Sequence, residues 1–158
     1  MKVHIGDYTY DASDRVIDIH IDDYDVWGMD STLAIIIVPM IERLKEKTHG
    51  APCIEANEVP ERLVSMEVDD NWDGPGEHDN NIFKTWNNVL DEFIWVFSRI
   101  REDDIIERNT AESATVGYEK HTMFGNTWYA NDAKIEEEYK RVQEGCELFG
   151  KFFQNLWD

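Results

Sequence analysis

Between Asp132 and Trp157, seven residues, Ile135, Tyr139, Val142, Cys146, Phe149, Phe153 and Leu156, succeed one another at intervals of 4, 3, 4, 3, 4 and 3. On an α-helix this spacing holds all seven in one stripe, and so long an apolar stripe needs a second helix to cover it. Glu136, Glu137 and Glu138 sit in the first turns, where the helix dipole favours negative charge. A helix over 132–157 is therefore predicted, packed through its aromatic seam, with Cys146 as an inert core thiol.

The partner for that seam is the stretch from Ile82 to Arg101. Phe83, Trp86, Leu90, Phe93, Ile94, Phe97 and Ile100 share one broad face there at the helical period, so a helix over about 81–101 is predicted. Lys84, Asn88, Asp91 and Trp95 form a second stripe, polar except for one indole, and are the first candidates for a working surface. A third helix is predicted over about 30–49, capped by Asp30 or Ser31 and stopped by Gly50. Its core stripe is Leu33, Ile36, Ile37, Met40 and Leu44, and Ile35, Val38 and Ile41 suggest burial on several sides. Pro39 should kink it and free the Ile35 carbonyl for a polar neighbour.

At the amino end, Lys2 to Tyr10 and Arg15 to Asp22 read as two strands around the polar turn Asp11 to Asp14, a hairpin set against the helical body. Ile17, Ile19 and Ile21 alternate with Asp18, His20 and Asp22, so one face is wet, and His20 reads as a solvated strand residue. Residues 51–80 are punctuated by Pro52, Pro60, Gly74, Pro75 and Gly76 and read as a long acidic loop with at most one helical turn from Pro60 to Met66. Residues 103–131 are again irregular, with room for a strand or a lid. The predicted fold is α+β and mainly α: three long helices, a short N-terminal β-hairpin and two long loops, in one domain over 1–158.

The chain carries a net charge of -19, yet 42% of it is hydrophobic, so the charge covers a folded body. Such a field repels phosphate and anionic lipid, which argues against direct nucleic-acid binding and favours basic partners. The acid is concentrated early: residues 1–79 hold 19 acidic against 6 basic residues, and residues 80–158 hold 15 against 9. The longest apolar run, Leu33 to Ile41, contains Pro39 and is too short for a membrane span. Cys53 and Cys146 lack CxxC spacing and the start lacks an apolar signal core, which points to the cytoplasm.

Few motifs carry chemistry. Asp69, Asn71, Asp73 and Gly74 open like a calcium loop, but position twelve is Asn80 and Pro75 stands at the carbonyl position, so a solvated acidic turn reads better. Asp91 and Glu92 invite a metal-dependent nucleotide hydrolase, although neighbours on a helix point about 100° apart. No P-loop, GxGxxG, GxSxG or zinc spacing occurs, and no cofactor is implied. Aromatic and cationic residues near the loops remain: Trp27, Trp95 and Trp128, with Arg99 four residues after Trp95 and in reach of a cation-π contact. Flat rings beside cations suit a base and a phosphate, and they also suit a core edge.

The segments Trp27-x-Met29-Asp30-x-Thr32-Leu33-Ala34, Pro39, His49-Gly50-x-Pro52, Val59-Pro60, Trp86-x-x-Val89-Leu90-Asp91-Glu92 and Leu148 to Asp158 resemble a family of small uncharacterised proteins encoded by tailed bacteriophages. The resemblance implies a setting, the host cytoplasm of an infected bacterium ahead of a place in the virion, and brings no mechanism. Within it, the terminal helix draws attention to Gly150, which costs about 1 kcal/mol in a helix and should permit a close approach. Lys151 beside it joins the candidates.

Three functions follow as expectations. The first is a non-catalytic counter-defence protein that sequesters a small nucleotide-type signal, with Trp27, Asp30, His49, Lys84, Asn88, Asp91, Trp95, Arg99 and Lys151 as ligand-binding residues. The second is an acidic decoy that mimics DNA or blocks a basic host protein. The third is the metal-dependent hydrolase. Assembly into a homo-oligomer stays open.

Overall fold

A computed structural model describes residues 1–6, 15–66 and 77–157, with only the backbone described for Ala56 and residues 77–80. The fold is α+β and dominated by helices. Strands β1 (Lys2–Ile5) and β2 (Ile17–His20) form a two-stranded antiparallel sheet. Helices α1 (Asp23–Trp27) and α2 (Met29–Lys47) follow, then 3-10 turns at Ala56–Glu58 and Glu61–Leu63. The long α3 (Glu77–Glu102) leads through the short α4 (Ile105–Arg108) to strands β3 (Thr110–Ala111), β4 (Glu119–Met123) and β5 (Asn126–Ala130). Helix α5 (Asp132–Phe152) and a 3-10 turn at Phe153–Asn155 close the chain. The second predicted loop is thus built: β3, β5 and β4 pair antiparallel in that order, and Asn131 leaves the sheet as the N-cap of α5, accepting from the Lys134 amide.

Helix α3 is the middle of the molecule, packed against α2 and α5. Trp86, Val89, Leu90, Phe93 and Val96 are fully enclosed, and Ala34, Val38 and Ile41 of α2 and Leu148 and Phe152 of α5 complete the core. Two predicted stripes are rotated from the real ones. On α2 the buried residues are Ala34, Val38 and Ile41, while Leu33, Ile35 and Met40 face solvent, so the helix is not enclosed on several sides. On α5 the buried line is Gly145, Leu148 and Phe152. The predicted seam lies beside it, with Tyr139 and Phe153 exposed and Phe149 packed edge-on against Phe93 and Phe97.

The rotation of α5 has a cause at Gly145. A Cβ there would stand 2.2 Å from Cγ2 of Val96, so α3 and α5 meet where one of them has no side chain. Gly150, the glycine singled out from sequence, would place a Cβ in open space and permits no such approach.

Helix α2 begins at Met29, so Asp30 and Ser31 lie within its first turn, and the side-chain cap belongs to α1 instead. There Asp22 accepts from the Tyr24 amide at 3.0 Å, while its own amide donates to Asp25 at 2.8 Å. Helix α2 runs through Pro39 to Lys47, where the Thr48 amide donates to the Leu44 carbonyl. The calcium-like Asp69, Asn71 and Asp73, and the turn Asp11 to Asp14, lie outside the described residues.

Candidate functional site

The polar stripe of α3 is occupied by architecture. Adjacent Asp91 and Glu92 diverge as helical geometry requires: Asp91 is exposed and paired with Lys45 of α2, whereas Glu92 is 2% exposed. Arg141 of α5 grips both oxygens of Glu92, Nε to Oε1 at 2.9 Å and Nη2 to Oε2 at 2.6 Å, and Arg62 donates to Oε1 at 2.8 Å. Burial alone would push this carboxyl up, but the two guanidinium partners outweigh it and hold the group below its ordinary range. The Arg141 guanidinium also lies 3.7 Å from the Trp95 ring centroid, so the cation on Trp95 is Arg141 and not the expected Arg99. Asn88 donates to the Leu63 carbonyl at 3.0 Å and fastens the 3-10 turn to α3. Lys84 is exposed on the same helix.

A cavity of about 580 Å³ opens where α1, the start of α2 and the end of α3 converge. Tyr24 and Trp27 stand at it with ring centroids 5.7 Å apart, 75% and 83% exposed. Their i, i+3 spacing on a capped helix places both rings on one side. Asp25, Asp30 and Asp103 bring three carboxylates against one guanidinium, that of Arg99. Arg99 is already neutralised by Glu102 and Asp104, and its Nε is buried with no hydrogen-bond partner among the described residues. Ile100, Ile105 and Val142 supply apolar lining, and Tyr139 of the predicted seam joins them. Asp103 reaches the cavity because α3 ends there in a left-handed turn, φ 47°, a conformation that Asp tolerates better than most residues.

Asp25 already binds an amine. The Met1 ammonium lies 2.6 Å from its Oδ2, and this contact, with the Asp22 amide, holds the carboxyl below its ordinary value. Chemically the cavity matches a cation: exposed aromatic rings, several carboxylates and an apolar wall.

Of the nine residues predicted to bind a ligand, the structure brings three together here, Trp27, Asp30 and Arg99. His49 borders two other concavities, one shared with Ile82 and Phe83, the other with Asn155 and Trp157. Lys151 is held by Glu58, through a carboxylate at 3.2 Å and a carbonyl at 3.0 Å. Asn88, Asp91 and Trp95 serve the helix contacts described above. Tyr24, Asp25, Asp103 and Tyr139 were missed, although Asp22-x-x-Asp25 around Tyr24 carries the signature of a capped turn with its ring at the surface.

A second groove of about 470 Å³ runs between α2 and the end of α5, where Ile37, Met40, Phe149 and Phe153 are flanked by Arg43 and Lys47. Among the described residues no three His, Cys, Asp or Glu side chains gather as a metal site, and no helix is long and apolar enough to cross a membrane. Comparison with protein-family models, curated proteins and solved structures finds no match to the chain.

Proposed function

We propose that this chain is an acidic binding protein that captures a basic protein partner and seats a lysine or arginine side chain in the cavity between Trp27 and Asp103. The observation that carries the reading is the pairing of two exposed rings with the carboxylates of Asp30 and Asp103 at one opening, beside an Asp25 that already holds the Met1 ammonium. A cation there meets π-faces and the Asp30 and Asp103 carboxylates together, whereas a phosphate would meet those two like charges and an arginine already paired. The overall charge of -19 steers a basic partner in the same direction. The phage-like segments supply the setting: a counter-defence protein acting in the host cytoplasm by blocking a basic host protein.

Sequestration of a nucleotide-type signal draws less support, because Lys84, His49 and Lys151 do not line this cavity. Hydrolysis through Asp91 and Glu92 draws less still, since each carboxylate is held by its own partner.

Calorimetric titration separates these readings. Short peptides rich in arginine or lysine should bind, more weakly as salt rises, while cyclic dinucleotides and ADP-ribose derivatives give no heat. Trp27→Ala leaves the charge unchanged and should weaken the peptides about tenfold, equivalent to about 1.4 kcal/mol. Equal affinity of Trp27→Ala and wild type would mean that only the general field attracts, and the cavity would lose its role.

A further inference from the structure

Periodicity marks Ile37, Met40 and Leu44 on α2 and Phe149, Phe153 and Leu156 at the end of the chain as core, but the buried lines of the two helices run elsewhere. The displaced residues meet across the groove of about 470 Å³ between α2 and the end of α5. Ile41, 3% exposed, lies at its base, while Met40 and Phe153 stand at its lips, 66% and 63% exposed. Phe149 is packed edge-on against Phe93, Phe97 and Phe153, so that wall is fixed, whereas the unbranched Met40 adapts to what it covers. Small-molecule pockets have this size and this mainly apolar lining.

Charge and width select the occupant. The N-terminal hairpin, predicted to lie against the helical body, buries none of its eight strand residues, but the groove differs from that bare surface in carrying charge at its rim. The chain holds 34 acidic against 15 basic residues, yet among the described residues the charged side chains lining the groove are Arg43 and Lys47, with no carboxylate. Arg43 is held by Glu46 at 2.9 Å in an exposed pair, and Lys45 by Asp91. Lys47, exposed one turn beyond Arg43, has no ion-pair partner among the described residues. An unpaired ammonium at the mouth of an apolar slot suits an anion with an apolar body.

Along α2 the lining runs from Ile37 to Lys47, a rise of about 15 Å. Spread over that length, 470 Å³ gives a slot roughly 6 Å wide. A helix with its side chains is about 10–12 Å across and does not enter such a slot, whereas a single extended alkyl chain does.

We propose that the groove binds a monomeric long-chain carboxylate, its alkyl chain lying along α2 between Met40 and Phe153 and its carboxylate at Lys47. Each methylene taken from water strengthens binding about threefold, so the slot supplies the affinity. Lys47 supplies selection for an anionic head against the repulsive field of the whole chain. The site shares no residue with the cavity at Trp27 and stands or falls independently of the basic-partner reading.

The ε-methyl resonance of Met40, in protein labelled at its methionine methyls, reports on the groove during titration with decanoate, decanol and decylammonium below the concentrations at which they self-associate. Decanoate should move it in a saturable way. Decanol should bind about fivefold more weakly, the upper end for losing one exposed ion pair, and decylammonium more weakly still. Octanoate, two methylenes shorter, should bind about tenfold more weakly than decanoate. Lys47→Gln should bring decanoate down to the level of decanol and leave decanol where it was, while Trp27→Ala changes neither. Equal affinity for the three head groups would overturn the proposal, because the slot would then take any hydrophobe. A Met40 resonance that decanoate leaves in place would overturn it too, and movement by an acidic amphipathic helical peptide instead would assign the groove to a protein partner.

Discussion

The contact between α3 and α5 and the N-terminal third use the same residue types in opposite ways. In the first, Glu92, Arg62, Arg141 and Trp95 hold one another, and Gly145 lets the helices close over them. In the second, Tyr24, Trp27, Asp30 and the apolar face of β1 and β2 stand at the surface with little to bury them. Carboxylates, cations and indoles are therefore poor guides to function by type alone. A charged group whose partners already lie within the fold is architecture, even where it borders a cavity as Arg99 and Asp25 do, whereas one that lines the cavity without such a partner is available to a ligand.

The sharpest way to break this contrast is at Glu92. Glu92→Ala should cost about 3 kcal/mol in chemical denaturation, toward the lower end for a broken buried pair, because Arg62 and Arg141 are 41% and 39% exposed and return to water. Its pH dependence has a fixed sign. The carboxyl sits below its ordinary value of 4.5 in the folded state, so its contribution is fully present above that pH and is lost as the pH falls through the lower folded value. The stability difference between wild type and Glu92→Gln should therefore shrink below about pH 4.5. A difference that grows with acid would contradict the clamp.

Gly145→Ala comes next. The new methyl has no room beside Val96, and a loss of about 2 kcal/mol is expected, although alanine is the better helix former. Combining it with Val96→Ala should recover part of that loss, a coupling read from a double-mutant cycle. Additive losses would place the strain elsewhere.

On the other side of the comparison, Trp27→Ala should change stability by less than about 0.5 kcal/mol, because so exposed a ring contributes little to the core. The smallest effect is expected at the turn between β4 and β5. Phe124 has φ 51° beside Gly125 at 83° and is 94% exposed. Phe124→Asn relieves a bulky left-handed residue and should raise stability by some tenths of a kcal/mol, visible in the thermal midpoint.

Periodicity located the three long helices because each buries one face, and the N-terminal hairpin because its isoleucines alternate. It missed the true line on α5 for a physical reason. Gly145 and Arg141 read as a blank and a charge in an apolar pattern, yet one sets the closest helix approach and the other carries the buried ion pair. The sheet after α3 escaped because β3 has two residues, and β4, Glu119–Met123, shows no clean apolar alternation. Trp27, Asp30 and Arg99 were singled out from their type and their place beside helix ends, and the structure sets all three around one cavity. That Arg99 would be neutralised from the next turn, by Glu102 and Asp104, depends on how α3 terminates, which composition does not encode.

The most direct measurement follows the Trp27 indole N–H resonance while the chain is titrated with an arginine- or lysine-bearing peptide and, separately, with a cyclic dinucleotide. The account predicts that the peptide moves this resonance in a saturable way, that Asp30→Asn and Asp103→Asn weaken the response, and that the nucleotide leaves it in place. Saturable movement with the nucleotide and none with the peptide would contradict it.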